Sequence, residues 1–278
     1  MRMLKKKWIR ISVKVVATLL IAIIVFTGAN HFTQHVVAHI KKPFTPDYAK
    51  VELTEETDLN AIFLQTGIGE NTARKMIAEG RFDEILEAQE LFFANDKVVC
   101  APMIKWFTRE ERLENEIIPF YDLQPGDILV TLSTHTWGWR HGHAAIVLDE
   151  YRTVESISML YNSSKEHTYF WQDYSNFAVL RVKDITPEQG KQVADFCESS
   201  LLDKPYSLLS GFGIHKAPDV TSDNFTLHCS YLAWYAWNEF DIDLDSDGGR
   251  LVTSYDILHS DKVEIVQLYG MDPREFLQ

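Results

Sequence analysis

Only three cysteines occur in the 278 residues: Cys100, Cys197 and Cys229. So few, oddly numbered and widely spaced, they exclude a disulfide framework and leave at least one thiol free. No Cys-x-x-Cys pair and no Cys/His group at zinc spacing occurs, so neither a metal nor a cofactor is expected. Low-complexity tracts and internal repeats are missing too. Acid is absent from the first 30 residues, which carry Arg2, Lys5, Lys6, Lys7, Arg10 and Lys14. The remainder holds 21 basic against 40 acidic residues. A body that acidic disfavours phosphate backbones, and no nucleic-acid partner is expected.

Long apolar runs are scarce. One, over residues 15–26, follows the basic flank and is broken only by Thr18. Basic flank followed by apolar core is the pattern of an export signal. The core is short for a membrane span, but residues 11–29 suffice if Lys14 snorkels. Residues 1–30 are therefore expected to be a signal-anchor, or a cleaved signal peptide, with the body outside the cytoplasmic membrane. Residues 31–57 read as a linker containing Lys41-Lys42-Pro43 and Thr45-Pro46.

Residues 58–115 read as a helical hairpin region, with helices over 58–65, 70–79 and 83–93. The turn Gly67-Ile68-Gly69 resembles that of helix-hairpin-helix proteins, whose backbone amides bind nucleic-acid phosphate. An ordinary αα-hairpin packed on the following domain is the preferred reading, given the acidic body.

Residues 116–278 alternate differently. Apolar strands are expected over 128–132, 143–148, 153–158 and 177–182, then a helix over 187–202 and a helix starting at Cys229. A turn, a short helix and a last strand follow. Strands followed by helices make this an α+β domain with a mostly antiparallel sheet.

Cys229, Leu232, Ala233, Ala236, Trp237 and Phe240 form one stripe of a 3.6-residue period. The thiol thus sits at a helix N-terminus, where unpaired N–H groups lower its pKa. A thiol hydrolase also needs a base and a group that orients it. His143 opens an otherwise apolar strand, and Glu155 sits on the return strand between Val154 and Ile157. Each is costly to bury alone. An even hairpin register would put them on one face, and an odd register on opposite faces. His141 is a rival base. Asp243-x-Asp245-x-Asp247-Gly248 matches half of a calcium loop, but position twelve is Ser254, and a solvated turn is the default reading.

The ordered set Leu123-Gln124-Pro125-Gly126-Asp127-Ile128, His143-Ala144-Ala145-Ile146-Val147, Val154-Glu155-Ser156, Pro205-Tyr206 and His228-Cys229-Ser230-Tyr231-Leu232 resembles the permuted NlpC-type papain-like cysteine hydrolases (the YaeF/YiiX-like amidases). The resemblance covers residues 116–270. It implies a circularly permuted papain-like, NlpC-like fold, with Cys229 as nucleophile, His143 as base and Glu155 as the orienting residue. The family often has tyrosine before the cysteine, and His228 stands there instead. Tyr206, Trp137, Trp139 and His228 are the expected substrate-binding residues.

The expected activity is cleavage of an amide in a small molecule, a peptide or a cell-envelope component. An apolar tunnel beside Cys229 would favour a lipid acyltransferase or lipase using the same thiol. Wide separation of Cys229 from His143 would favour an inactive, membrane-tethered binding module.

Overall fold

The computed structural model describes residues 2–32, 44–94, 97–104, 108–136, 139–212 and 216–277. Helix α1 (Arg2–Phe32) contains the apolar run. No helix among the described residues is long and apolar enough to cross a membrane, which overturns the expected membrane segment. The physical reason is length. Twelve apolar residues at 1.5 Å each span about 18 Å, against about 30 Å of hydrocarbon core.

Three short helices follow, α2 (Leu59–Thr66), α3 (Glu70–Ala78) and α4 (Phe82–Phe93). Asp58 caps α2 by accepting from the backbone N–H groups of Asn60 and Ala61. Ile62, Ile68, Met76 and Ile85 close a small core between these helices. The turn from α2 to α3 leans on the last strand, β10 (Val263–Tyr269). The Gly69 N–H donates to the Val266 carbonyl at 3.0 Å, and the Leu268 N–H to the Gly67 carbonyl at 2.7 Å. A Cβ on Gly69 would lie 1.7 Å from the Ile265 carbonyl oxygen, so glycine is needed for close approach. Those amides bond to the chain itself.

Residues 98–113 are not helical, contrary to the sequence reading. Strands β1 (Val98–Ile104) and β2 (Thr108–Leu113) join β4 (Thr134–Thr136) and β5 (Trp139–Arg140) in a four-stranded sheet ordered β1-β2-β4-β5. The charged run Arg109-Glu110-Glu111-Arg112 hid β2. Its two glutamates are buried and paired, Glu110 with Arg112 and Glu111 with Arg140, so polarity did not mark solvent exposure here.

The main sheet has six strands, ordered β10-β9-β3-β6-β7-β8. It contains β3 (Ile128–Thr131), β6 (His143–Asp149), β7 (Arg152–Glu155), β8 (Ser164–His167) and β9 (Phe177–Val182), all antiparallel to their neighbours. Both faces are covered, so β6 reads as a continuous apolar run. Ala144 and Ile146 face α5 (Pro187–Ser200) and α6 (Cys229–Asn238) in the larger core, with Tyr231, Trp234 and Trp237. Ala145 and Val147 face a second core containing Trp171, Tyr174 and Phe177. The molecule is thus α+β with antiparallel sheets, as expected. Asp127, of the Pro-Gly-Asp turn before β3, is tied to Arg181 of β9 and accepts from the Gln124 N–H, which anchors the centre of the sheet.

Candidate functional site

Three elements deliver the site. Strand β6 begins at His143, directly after Gly142, which has φ +71°. A Cβ on Gly142 would sit 2.5 Å from the Thr131 carbonyl oxygen, so only glycine lets the chain enter β6 this tightly. Strand β7 returns with Val147 opposite Thr153 and Ile146 opposite Val154. That register puts His143, Thr153 and Glu155 on one face. Helix α6 packs across the other face, and its first residue, Cys229, reaches His143 at the end of the strand.

His143 Nε2 lies 2.7 Å from Glu155 Oε2, and both side chains are almost fully buried. The second carboxylate oxygen accepts from Thr153 Oγ1 at 2.6 Å and from Trp171 Nε1 at 2.7 Å. The Trp171 ring stacks on the imidazole, with centroids 5.3 Å apart and planes 17° from parallel. With Nε2 facing Glu155, Nδ1 is the nitrogen left for Cys229. The thiol and the imidazole lie close enough for each to shift the other's pKa.

The electrostatics follow from these contacts. Burial pushes the His143 pKa down, but the neighbouring Cys229 and Glu155 outweigh it and raise it to about 10. Burial pushes the Cys229 thiol up, but contacts with His143 and then His228 hold it well below the usual thiol range. Burial also acts upward on Glu155, and His143, Thr153 and Trp171 together keep it below the usual carboxylate range. The arrangement favours a thiolate, an imidazolium and a carboxylate in series.

His228 is the N-cap of α6. Its Nδ1 accepts from the Tyr231 N–H at 3.3 Å, which places the ring proton on Nε2. That Nε2 is buried and has no hydrogen-bond partner. Ser230 donates to the Val252 carbonyl at 3.0 Å, fixing the first turn of α6 to the following loop.

A cavity of about 700 Å³ opens onto Cys229, His143 and His228. Tyr206 lines it, and burial followed by the charge of Cys229 raises its phenol pKa. His141 also lines it, but contacts Thr136 Oγ1 at 3.0 Å and the Gly142 carbonyl at 2.9 Å, and is not the imidazole on Cys229. Trp137 lies outside the described residues. Trp139 is in β5, and its side chain is likewise not described. The Asp243–Asp247 stretch caps its own turn. Asp243 accepts from Trp234 Nε1 and from the Asp245 N–H, and Lys216 pairs with Asp245.

Two positioning residues escaped the sequence reading. Thr153 carried the ordinary signal of a β-branched strand residue. Trp171 lies 16 positions beyond Glu155 and reads as a core aromatic.

The site thus defines a class by its chemistry, an imidazole held between a helix-terminal thiol and a buried carboxylate. The sequence matches no family model, and no curated protein matches it. Among solved structures it is similar to the metalloprotein YiiX of Escherichia coli O157:H7, at 14% identity and a TM-score of 0.39. The superposition covers 51% of this chain and 96% of that one. So distant a likeness assigns no activity to this chain.

Proposed function

We propose that the protein is a thiol hydrolase that cleaves an amide through an acyl-enzyme on Cys229. The observation that carries this reading is the series Cys229–His143–Glu155, with the imidazole hydrogen-bonded to a fully satisfied carboxylate and electrostatically coupled to the thiol. A bare structural histidine needs no such support. The sequence resemblance to permuted NlpC-type amidases points the same way. Contact between thiol and imidazole also speaks against an inactive binding module.

In the first step the Cys229 sulfur attacks the carbonyl carbon. A C–S bond forms, and the π electron pair moves to oxygen. The Cys229 N–H, at a helix end where N–H groups lack intrahelical partners, faces that oxyanion. The His228 Nε2–H, buried beside the thiol whose pKa it helps to lower, is the second donor. The C–N bond then breaks as His143 Nδ1 gives its proton to the departing amine. His143 next takes a proton from water, whose oxygen attacks the thioester. The C–S bond breaks, the acid leaves, and the thiolate returns.

The test is turnover of an N-acyl anilide by the full chain. Cys229→Ala is expected to abolish hydrolysis, and His143→Ala to lower kcat at least about a hundredfold. Activity retained in Cys229→Ala overturns the reading.

A further inference from the structure

The loop that follows α6 carries carboxylates that the thiol chemistry does not use. We infer that the chain binds one hard divalent cation, calcium by the chemistry of its ligands, between Asp245, Asp247 and Asp256.

The sequence motif supplies only two of these ligands. In the spacing Asp243-x-Asp245-x-Asp247-Gly248, position twelve of a calcium loop falls on Ser254, which has no carboxylate. Folding makes up the deficit. Asp256 stands two residues further on, in the first turn of α7 (Ser254–Leu258). Carboxylate oxygens of Asp245, Asp247 and Asp256 lie within 4.8 Å of one another. Asp243 is committed elsewhere: its Oδ1 accepts from Trp234 Nε1 at 2.6 Å and from the Asp245 N–H at 3.0 Å, which holds the loop against α6.

A second observation points to a ligand. The Asp245 side chain is 0% exposed, and its Oδ1 is buried with no hydrogen-bond partner. A buried carboxylate oxygen without a donor is costly. Lys216 pairs with the other oxygen, Oδ2, so one ammonium is set against three carboxylates. A divalent cation on Oδ1 satisfies the orphan oxygen and balances the remaining charge. An oxygen-only ligand set selects calcium or magnesium over softer metals. Asp247 is exposed, which leaves a side open to the waters that complete a calcium shell. A merely solvated turn would expose all three carboxylates, whereas Asp245 and Asp256 are turned inward.

The cation ties Asp247 to Asp256 across the intervening loop. Leu251, Val252, Thr253 and Tyr255 of that loop line the cavity beside Cys229. The Val252 carbonyl also accepts from Ser230, the neighbour of Cys229. Bound calcium therefore fixes one wall of the cavity.

The experiment titrates calcium chloride into the EDTA-stripped, full-length chain by calorimetry, and compares amide hydrogen exchange with and without calcium. One site with a dissociation constant of about 1 mM or tighter is expected. At ten times that concentration, exchange over residues 247–256 should slow about tenfold, while strand β9 is unchanged. Asp247→Asn and Asp245→Asn should each weaken binding at least about tenfold, and Glu55→Gln combined with Glu56→Gln, outside the cluster, should leave it unaltered. Absence of binding at millimolar calcium overturns the inference. Binding that survives both aspartate substitutions, or that leaves exchange over residues 247–256 unchanged, overturns it as well, since it marks diffuse attraction to the acidic body. None of these readouts depends on the chemistry proposed for Cys229.

Discussion

Glu155 is the residue on which the charge balance turns. A lone buried carboxylate is costly, and here three donors satisfy it: His143, Thr153 and Trp171. Its charge also helps raise the His143 pKa to about 10. A raised histidine pKa means that the imidazolium persists until the pH climbs through that value. Hydrolysis should therefore fall on an alkaline limb near pH 10. Glu155→Gln keeps the shape and removes the charge, so the limb should move toward lower pH, and kcat/KM should drop at least about tenfold. A limb that stays in place in the variant would show that Glu155 does not act on His143. Cys229, His143 and Glu155 were legible from residue type and position: a thiol at a helix start, and two polar groups in apolar strands. Thr153 and Trp171 were not, because a threonine in a strand and a tryptophan in a core need no special explanation. The state of His228 was also unreadable. Its proton position depends on the Tyr231 N–H that it caps.

Among the elements, the β6–β7 hairpin decides whether a site exists. The sequence left two registers open, since a one-residue slip moves Glu155 to the other face of the sheet. The observed pairing of Val147 with Thr153 settles this geometrically. The helical layer was legible from its 3.6-residue periodicity and its glycine turn. Strands β1 and β2 were not, since β2 buries two adjacent glutamates, Glu110 and Glu111, each paired with an arginine. The docking of helices onto β10 depends on Gly69, where a methyl group would overlap the Ile265 carbonyl. Gly69→Ala should lower the unfolding free energy by about 3 kcal/mol or more, read as a lower urea midpoint. A midpoint unchanged within error would show that the turn does not make this contact.

The whole molecule joins an acidic α+β body to a basic, helical N-terminal segment. The α+β class followed from strands preceding helices in residues 116–278. The membrane-segment reading failed because a charge-flanked apolar run resembles a span in composition before it reaches the required length. In the body, apolar cavity, thiol and imidazole converge at the end of one strand, and the joint product we propose for them is a reactive thiolate at Cys229. The direct test is the pH dependence of Cys229 carboxamidomethylation in the intact chain, followed by peptide mass. The Cys229–His143 ion pair predicts rapid modification at pH values well below the ordinary thiol pKa of about 8.5, and loss of that low-pH reactivity in His143→Ala. A single rise near 8.5, unchanged in His143→Ala, would contradict it.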